Sequence, residues 1–206
     1  MNIIDQNEIL KKYSFKDILT EDDTKQAIDV IDQMVEEKNY FTKEIVFSKK
    51  NVIYCNGLPS YQTRENLLER DEFIWYKFKS TFLLAALAYL QKEIKVLQYS
   101  AWGFMTSNDI ATDRDKYWHH HHFRKENEKM ISGIYYLRIP NDQNNLDTSG
   151  TEFALHHKDF SNTVFVKPDL YTWLIHPSDL YHRPGIWHGD EYRYVLAADL
   201  VYYDVK

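Results

Sequence analysis

Cysteine is nearly absent from this chain of 206 residues: Cys55 stands alone. One thiol excludes an intrachain disulfide framework and a multi-cysteine zinc site, and it fits a reducing, cytoplasmic setting. Glycine is scarce, with six in all. Neither GxGxxG nor GxxxxGK[ST] occurs, so the common phosphate-cradling loops are missing. Long apolar runs are missing too. The longest, Phe82 to Leu90, falls far short of the roughly 20 residues a spanning helix needs and reads as a buried helix, with no membrane span. The stretch Met1-Asn2-Ile3-Ile4-Asp5-Gln6 has neither the basic nor the apolar region of a secretory signal. Basic residues are not in excess, since the net charge is -6. That balance argues against general nucleic-acid binding, which usually leaves a basic footprint.

Aromatic residues are plentiful, at 16% of the chain with 16 Tyr, 11 Phe and 5 Trp. Large aromatics favour strands and bury much area each, so a β-rich core is expected. The length fits one domain spanning 1–206, in two parts. Residues 1–93 read as mainly helical. Thr20 before Glu21, Asp22 and Asp23 is an N-cap with an acidic first turn. Ile28, Ile31, Met34 and Val35 then recur at helical spacing. Residues 43–55 alternate loosely as a hairpin would, Gly57-Leu58-Pro59-Ser60 breaks the chain, and a long helical pattern runs from Gln62 to about Gln91. From Ile94 onward, short β-rich runs alternate with turn signals, which predicts a sandwich or barrel over residues 94–206. The helices are expected to pack on one sheet of it. They could shape an entrance or form a homodimer interface, and both stand open.

Four consecutive histidines, His119 to His122, lie in one strand-like segment. Alternate residues of a strand share a face, so either His120 with His122 or His119 with His121 can grip one metal ion. His182, beyond a second strand-like run, would complete a set of three. Three ligands on one side leave coordination positions open on the other. Arg193 follows at the start of the last strand.

The carboxy-terminal half resembles the small iron(II)- and 2-oxoglutarate-dependent oxygenases. The resemblance covers about residues 95–204. It rests on His120-His121-His122 leading into Ser132 to Pro140, on Leu174 to His182, and on Arg193. It implies an α+β fold built on a double-stranded β-helix, or jelly roll. It implies iron held by an H-x-[D/E]…H triad or, in some branches, H-x-H…H. It implies an Arg or Lys about ten residues after the distal histidine that takes the far carboxylate of 2-oxoglutarate. Carried over, His120, His122 and His182 are the metal ligands and the catalytic set, Arg193 anchors the cosubstrate, and Tyr135 or Tyr136 donates a phenolic hydrogen bond to it. The implied function is hydroxylation of an unidentified substrate. The usual carboxylate ligand is absent, and Val195 stands where an R-x-S ending would have its serine.

The pair His120 and His122 is preferred because His120-x-His122, Glu126 and Gly133 also match the H-x-H-x3-E-x6-G spacing of the cupins. That spacing would make Glu126 a fourth ligand in a dioxygenase or isomerase that works without 2-oxoglutarate. Asp179, three residues before His182, could support a ligand from behind. A non-enzymatic jelly roll with surface histidines is the alternative of a different class.

Overall fold

The computed structural model describes residues 2–5, 9–42, 61–106, 118–121, 127–140, 149–156, 159–186 and 191–205. The hairpin expected over 43–55 and the Gly57–Ser60 break lie outside these residues.

The helices form where the sequence signals them. Helix α1 (Glu21–Glu36) begins at Thr20, whose side chain accepts from the Asp23 backbone N–H while the Asp23 carboxylate accepts from that of Thr20. This reciprocal cap satisfies two donors that a helix start leaves open. Ile28, Ile31 and Met34 are buried along one stripe. Helix α2 covers Phe73–Leu90 and ends at Gln91 in a left-handed conformation. It is shorter than the Gln62–Gln91 pattern predicts, and the reason lies in two side chains. Thr63 Oγ1 accepts the Gly103 backbone N–H at 3.0 Å. Asn66 accepts that of Ala101 at 2.8 Å and donates to the Tyr99 carbonyl at 3.0 Å. These bonds tie residues 61–66 to a strand instead of a helix.

Eleven strands complete the described fold: β1 (Asn2–Asp5), β2 (Lys11–Ser14), β3 (Tyr40–Thr42), β4 (Tyr61–Thr63), β5 (Ile94–Thr106), β6 (Lys129–Arg138), β7 (Thr151–His156), β8 (Asp159–Val166), β9 (Thr172–Pro177), β10 (His182–Pro184) and β11 (Arg193–Asp204). Eight of them form a large antiparallel sheet in the order β1-β2-β9-β6-β11-β5-β4-β3, and β10-β7-β8 form a small one. The part expected to be mainly helical therefore supplies four short strands to the edges of the large sheet as well. Strands of three or four residues are too brief to show a period in the sequence.

Alternation along the central strands gives the large sheet two faces. Tyr194, Leu196, Ala198 and Leu200 of β11 join Ile131, Tyr135 and Leu137 of β6 and Trp173 and Ile175 of β9 in the core under the helices. Ile134, Tyr136, Leu174 and Val195 point the other way, toward Phe153 and Val166 of the small sheet. The helices sit close on the first face because β6 carries Gly133 there. A Cβ at Gly133 would lie 2.7 Å from Phe82 Cε2 and 3.1 Å from Ile175 Cδ1. Gly133→Val should accordingly cost about 2 kcal/mol by overpacking, read as a lower denaturant midpoint at unchanged slope. An unchanged midpoint would mean that helix and sheet have room to part.

No described helix is long and apolar enough to cross a membrane.

Candidate metal centre

The segment Trp118–His121 runs extended beside β10. His119 N–H donates to the His182 carbonyl at 3.1 Å, and His182 N–H returns to the His119 carbonyl at 2.8 Å. His121 N–H adds a bond to the Ser178 carbonyl at 2.7 Å. This pairing decides which histidines point inward. Neighbours on the other face of the segment hold the same register. The Arg183 guanidinium carbon lies 4.3 Å from the Trp118 ring centre, and Trp118 stacks on Phe160 at 4.8 Å. A cation on an indole face together with ring stacking holds Trp118 on the face away from His182. His119 and His121, on the opposite face from Trp118, then face in, with ring centres 5.6 Å apart.

The structure brings together His119, His121 and His182. One ring nitrogen from each lies within 4.8 Å of the others. His120 turns to the opposite side, with its ring centre 4.5 Å from that of Tyr181. His122 and Glu126 lie outside the described residues. With His119 and His121 facing in, the cupin spacing shifts as well, and Lys125 stands where that pattern expects its glutamate.

Each inward ring has its far nitrogen occupied where a bond is described. His182 Nδ1–H donates to the Leu180 carbonyl at 2.9 Å. His121 Nδ1–H donates to Asp199 Oδ1 at 2.8 Å. Such bonds fix the tautomer and leave Nε2 as the free lone pair. Burial pushes the His182 imidazole well below its usual pKa, and the neighbouring His119, His176 and His121 rings push the same way. The ring is neutral at pH 7, the form that binds a metal.

A cavity of about 70 Å³ opens beside these rings. Phe104, Ile134 and Val195 give it apolar walls, and Thr151, His176 and Arg193 add polar groups. Arg193 is 3% exposed. Its Nη1 donates to the Ser149 and Gly150 carbonyls at 2.5 and 3.0 Å, and its Nε to Thr106 Oγ1 at 3.2 Å. These bonds orient the guanidinium and hold its plane. Burial lowers its pKa to about 10, so it stays cationic at pH 7.

Tyr135 and Tyr136 part company because successive strand residues face opposite ways. Tyr135 packs under the helices, 5.0 Å from Phe78 and 5.2 Å from Trp173 between ring centres. The structure does not bring it to the cavity. Tyr136 lies on the cavity side, with its hydroxyl bonded to Thr151 Oγ1 at 2.5 Å.

Two groups near the rings carried no role in the sequence reading. His176 is fully buried, with Nδ1–H donating to the Pro177 carbonyl at 2.9 Å. Burial lowers its pKa to about 4. Asp199 is 8% exposed and also accepts from Ser132 Oγ at 2.6 Å. Its one visible signal is a lone carboxylate inside the apolar run Val195 to Tyr202. Asp179, the carboxylate expected near the ligands, is exposed. The side chain of His156, and all of His157, Trp187 and His188, lie outside the described residues.

No protein-family model matches the chain, and no curated protein matches it significantly. Solved structures do. The chain is similar to a Pseudomonas putida prolyl-4-hydroxylase at 11% identity and a TM-score of 0.56, covering 95% of this chain and 92% of that one. It is similar to the viral collagen prolyl hydroxylase of Paramecium Bursaria Chlorella virus-1, solved as its 2OG complex, at 10% identity and a TM-score of 0.53, covering 93% and 96%. A third is the non-heme alpha ketoglutarate dependent epimerase SnoN from nogalamycin biosynthesis, at 12% identity and a TM-score of 0.58, covering 95% and 77%. Coverage of 93% or more of this chain at such low identity shows a shared fold: this protein has the mostly antiparallel, two-sheet architecture of those structures.

Proposed function

We propose that the protein is a non-haem Fe(II)- and 2-oxoglutarate-dependent oxygenase, with His119, His121 and His182 as the iron ligands and Arg193 as the anchor of the cosubstrate. The observation that carries this reading is the convergence of three imidazoles, from two distant segments, on a cavity that also contains a buried guanidinium. The two sheets facing across that cavity are read as the walls of a double-stranded β-helix, and residues 1–206 as one unit whose helices back the larger wall.

The donor set fits iron. Imidazole suits Fe(II), which His119, His121 and His182 would hold. Iron held there would supply O2 activation coupled to the decarboxylation of 2-oxoglutarate to succinate and CO2, with hydroxylation of a substrate C–H bond. The chain's own groups do the rest. Leu180 and Asp199 hold the His182 and His121 rings so that their free nitrogens aim inward. The Arg193 guanidinium matches a carboxylate in a two-pronged way, and Thr106 and the Ser149 and Gly150 carbonyls hold its plane. Phe104, Ile134 and Val195 exclude water from the reacting groups. A lone cysteine and a need for ferrous iron both suit a reducing, cytoplasmic setting. The small-molecule partners are then 2-oxoglutarate and the substrate that is oxidised.

Anaerobic titration tests the reading. Protein loaded with one equivalent of Fe(II) should develop a weak visible charge-transfer band on adding 2-oxoglutarate, saturating at one equivalent. Metal binding with no such band would leave a metal enzyme that uses another cosubstrate. Binding of neither would leave a non-catalytic protein of this fold.

A further inference from the structure

We infer that Asp199 is the centre's displaced carboxylate, a positioning residue that supplies through the His121 ring the negative charge its ligand set lacks. This rests on the proposed iron site.

His121 stands two residues after His119, the place where an H-x-[D/E]…H triad has its acid. Three neutral imidazoles bring no charge to a divalent cation. The structure puts a carboxylate directly behind that ring: Asp199 Oδ1 is 2.8 Å from His121 Nδ1. It comes from the middle of β11, on the same face as Arg193, Val195 and Ala197, six residues along from Arg193. Asp199 and Ser132 are directly opposed across β11 and β6. The serine hydroxyl donates to the same oxygen at 2.6 Å and lies 3.2 Å from His121 Nδ1.

A carboxylate this buried is costly unless its charge is compensated. The hydrogen bonds described for it come from the Ser132 hydroxyl and the His121 imidazole. Placing a cation on the other nitrogen of the imidazole completes the charge balance across the ring. The carboxylate makes the ring more electron-rich, fixes its tautomer and holds its plane. A purely structural Asp199 would need only the serine bond. It would not need to sit in line with a ligand.

The test uses the full chain and Co(II) as the metal probe, followed by competition with a chromophoric chelator. Asp199→Asn keeps shape and one acceptor but removes the charge. Co(II) affinity should fall about 10- to 100-fold, the usual effect of losing such a partner. The Fe(III)/Fe(II) potential should rise, because the oxidised ion loses the nearby negative charge. Ser132→Ala, which keeps the carboxylate, should change both far less. The double variant His121→Asp, Asp199→Asn moves the carboxylate onto the metal and should recover affinity. If folded Asp199→Asn matched wild type in both affinity and potential, Asp199 would be only a core hydrogen-bond partner. Should the asparagine variant not fold, Zn(II)-loaded wild type with 15N-labelled histidine decides. A slowly exchanging, strongly downfield Nδ1–H from His121 supports the inference, and coordination through Nδ1 overturns it. Failure of wild type to bind Co(II) would instead remove the metal site itself.

Discussion

His119→Ala and His121→Ala should each abolish stoichiometric Fe(II) or Co(II) binding, whereas His120→Ala should leave it intact. The middle one of three adjacent histidines then differs completely from its two neighbours, although all three are chemically identical. The cause is the antiparallel bridge between His119 and His182, which points 119 and 121 at His182 and turns 120 toward Tyr181. Complete structural zinc sites contribute on the order of 10 kcal/mol or more. Losing one of three ligands should therefore cost about 4 kcal/mol, roughly a thousandfold in affinity. Isothermal titration under anaerobic conditions reads this directly. His119 and His121 are both partly exposed, so the alanine variants should stay folded and circular dichroism should be unchanged. The opposite pattern, with His120 essential and His119 dispensable, would mean the segment pairs one residue out of step and that the even-numbered pair holds the metal.

Arg193→Met should separate cosubstrate from metal. Methionine keeps much of the stem and removes the charge and both prongs of the fork. Affinity for 2-oxoglutarate should drop about a hundredfold or more, in line with losing a buried charged hydrogen-bond partner. Co(II) affinity should hold, because no ring of the triad is among the hydrogen-bond partners described for Arg193. Arg193→Lys keeps the charge as a point and loses the fork, so it should fall between the two. The measurement is a 2-oxoglutarate titration of the Fe(II)-loaded protein, following the charge-transfer band. Arg193 also ties down the Ser149 and Gly150 carbonyls. A variant that binds 2-oxoglutarate as well as wild type but melts earlier would show that its task is to hold that loop.

Much of this centre follows from strand periodicity alone. A histidine pair at alternate positions must share a face, and a third histidine and an arginine recur downstream near strand ends. The N-cap at Thr20 and the buried stripe of α1 were equally legible, since both are local. What failed to show was whatever depends on a partner strand. Strands β1 to β4 are too short for a pattern, and the helix read from Gln62 starts only at Phe73 because Thr63 and Asn66 bond to a strand some 35 to 40 residues away. Tyr135 and Tyr136 were interchangeable until the sheet gave each a side.

The amino-acid order by itself determined which chemistry is available: imidazoles two apart, a distal third, a cation beyond it, and only one cysteine and no Gly-rich phosphate loop to compete. Tertiary structure decided which rings of the quartet face inward, and it alone set Asp199 behind His121, across 78 residues of chain. The reason is geometric. Alternation says that neighbouring side chains must oppose each other, but the side that faces the interior is chosen by the strand, the indole and the guanidinium that pack against them.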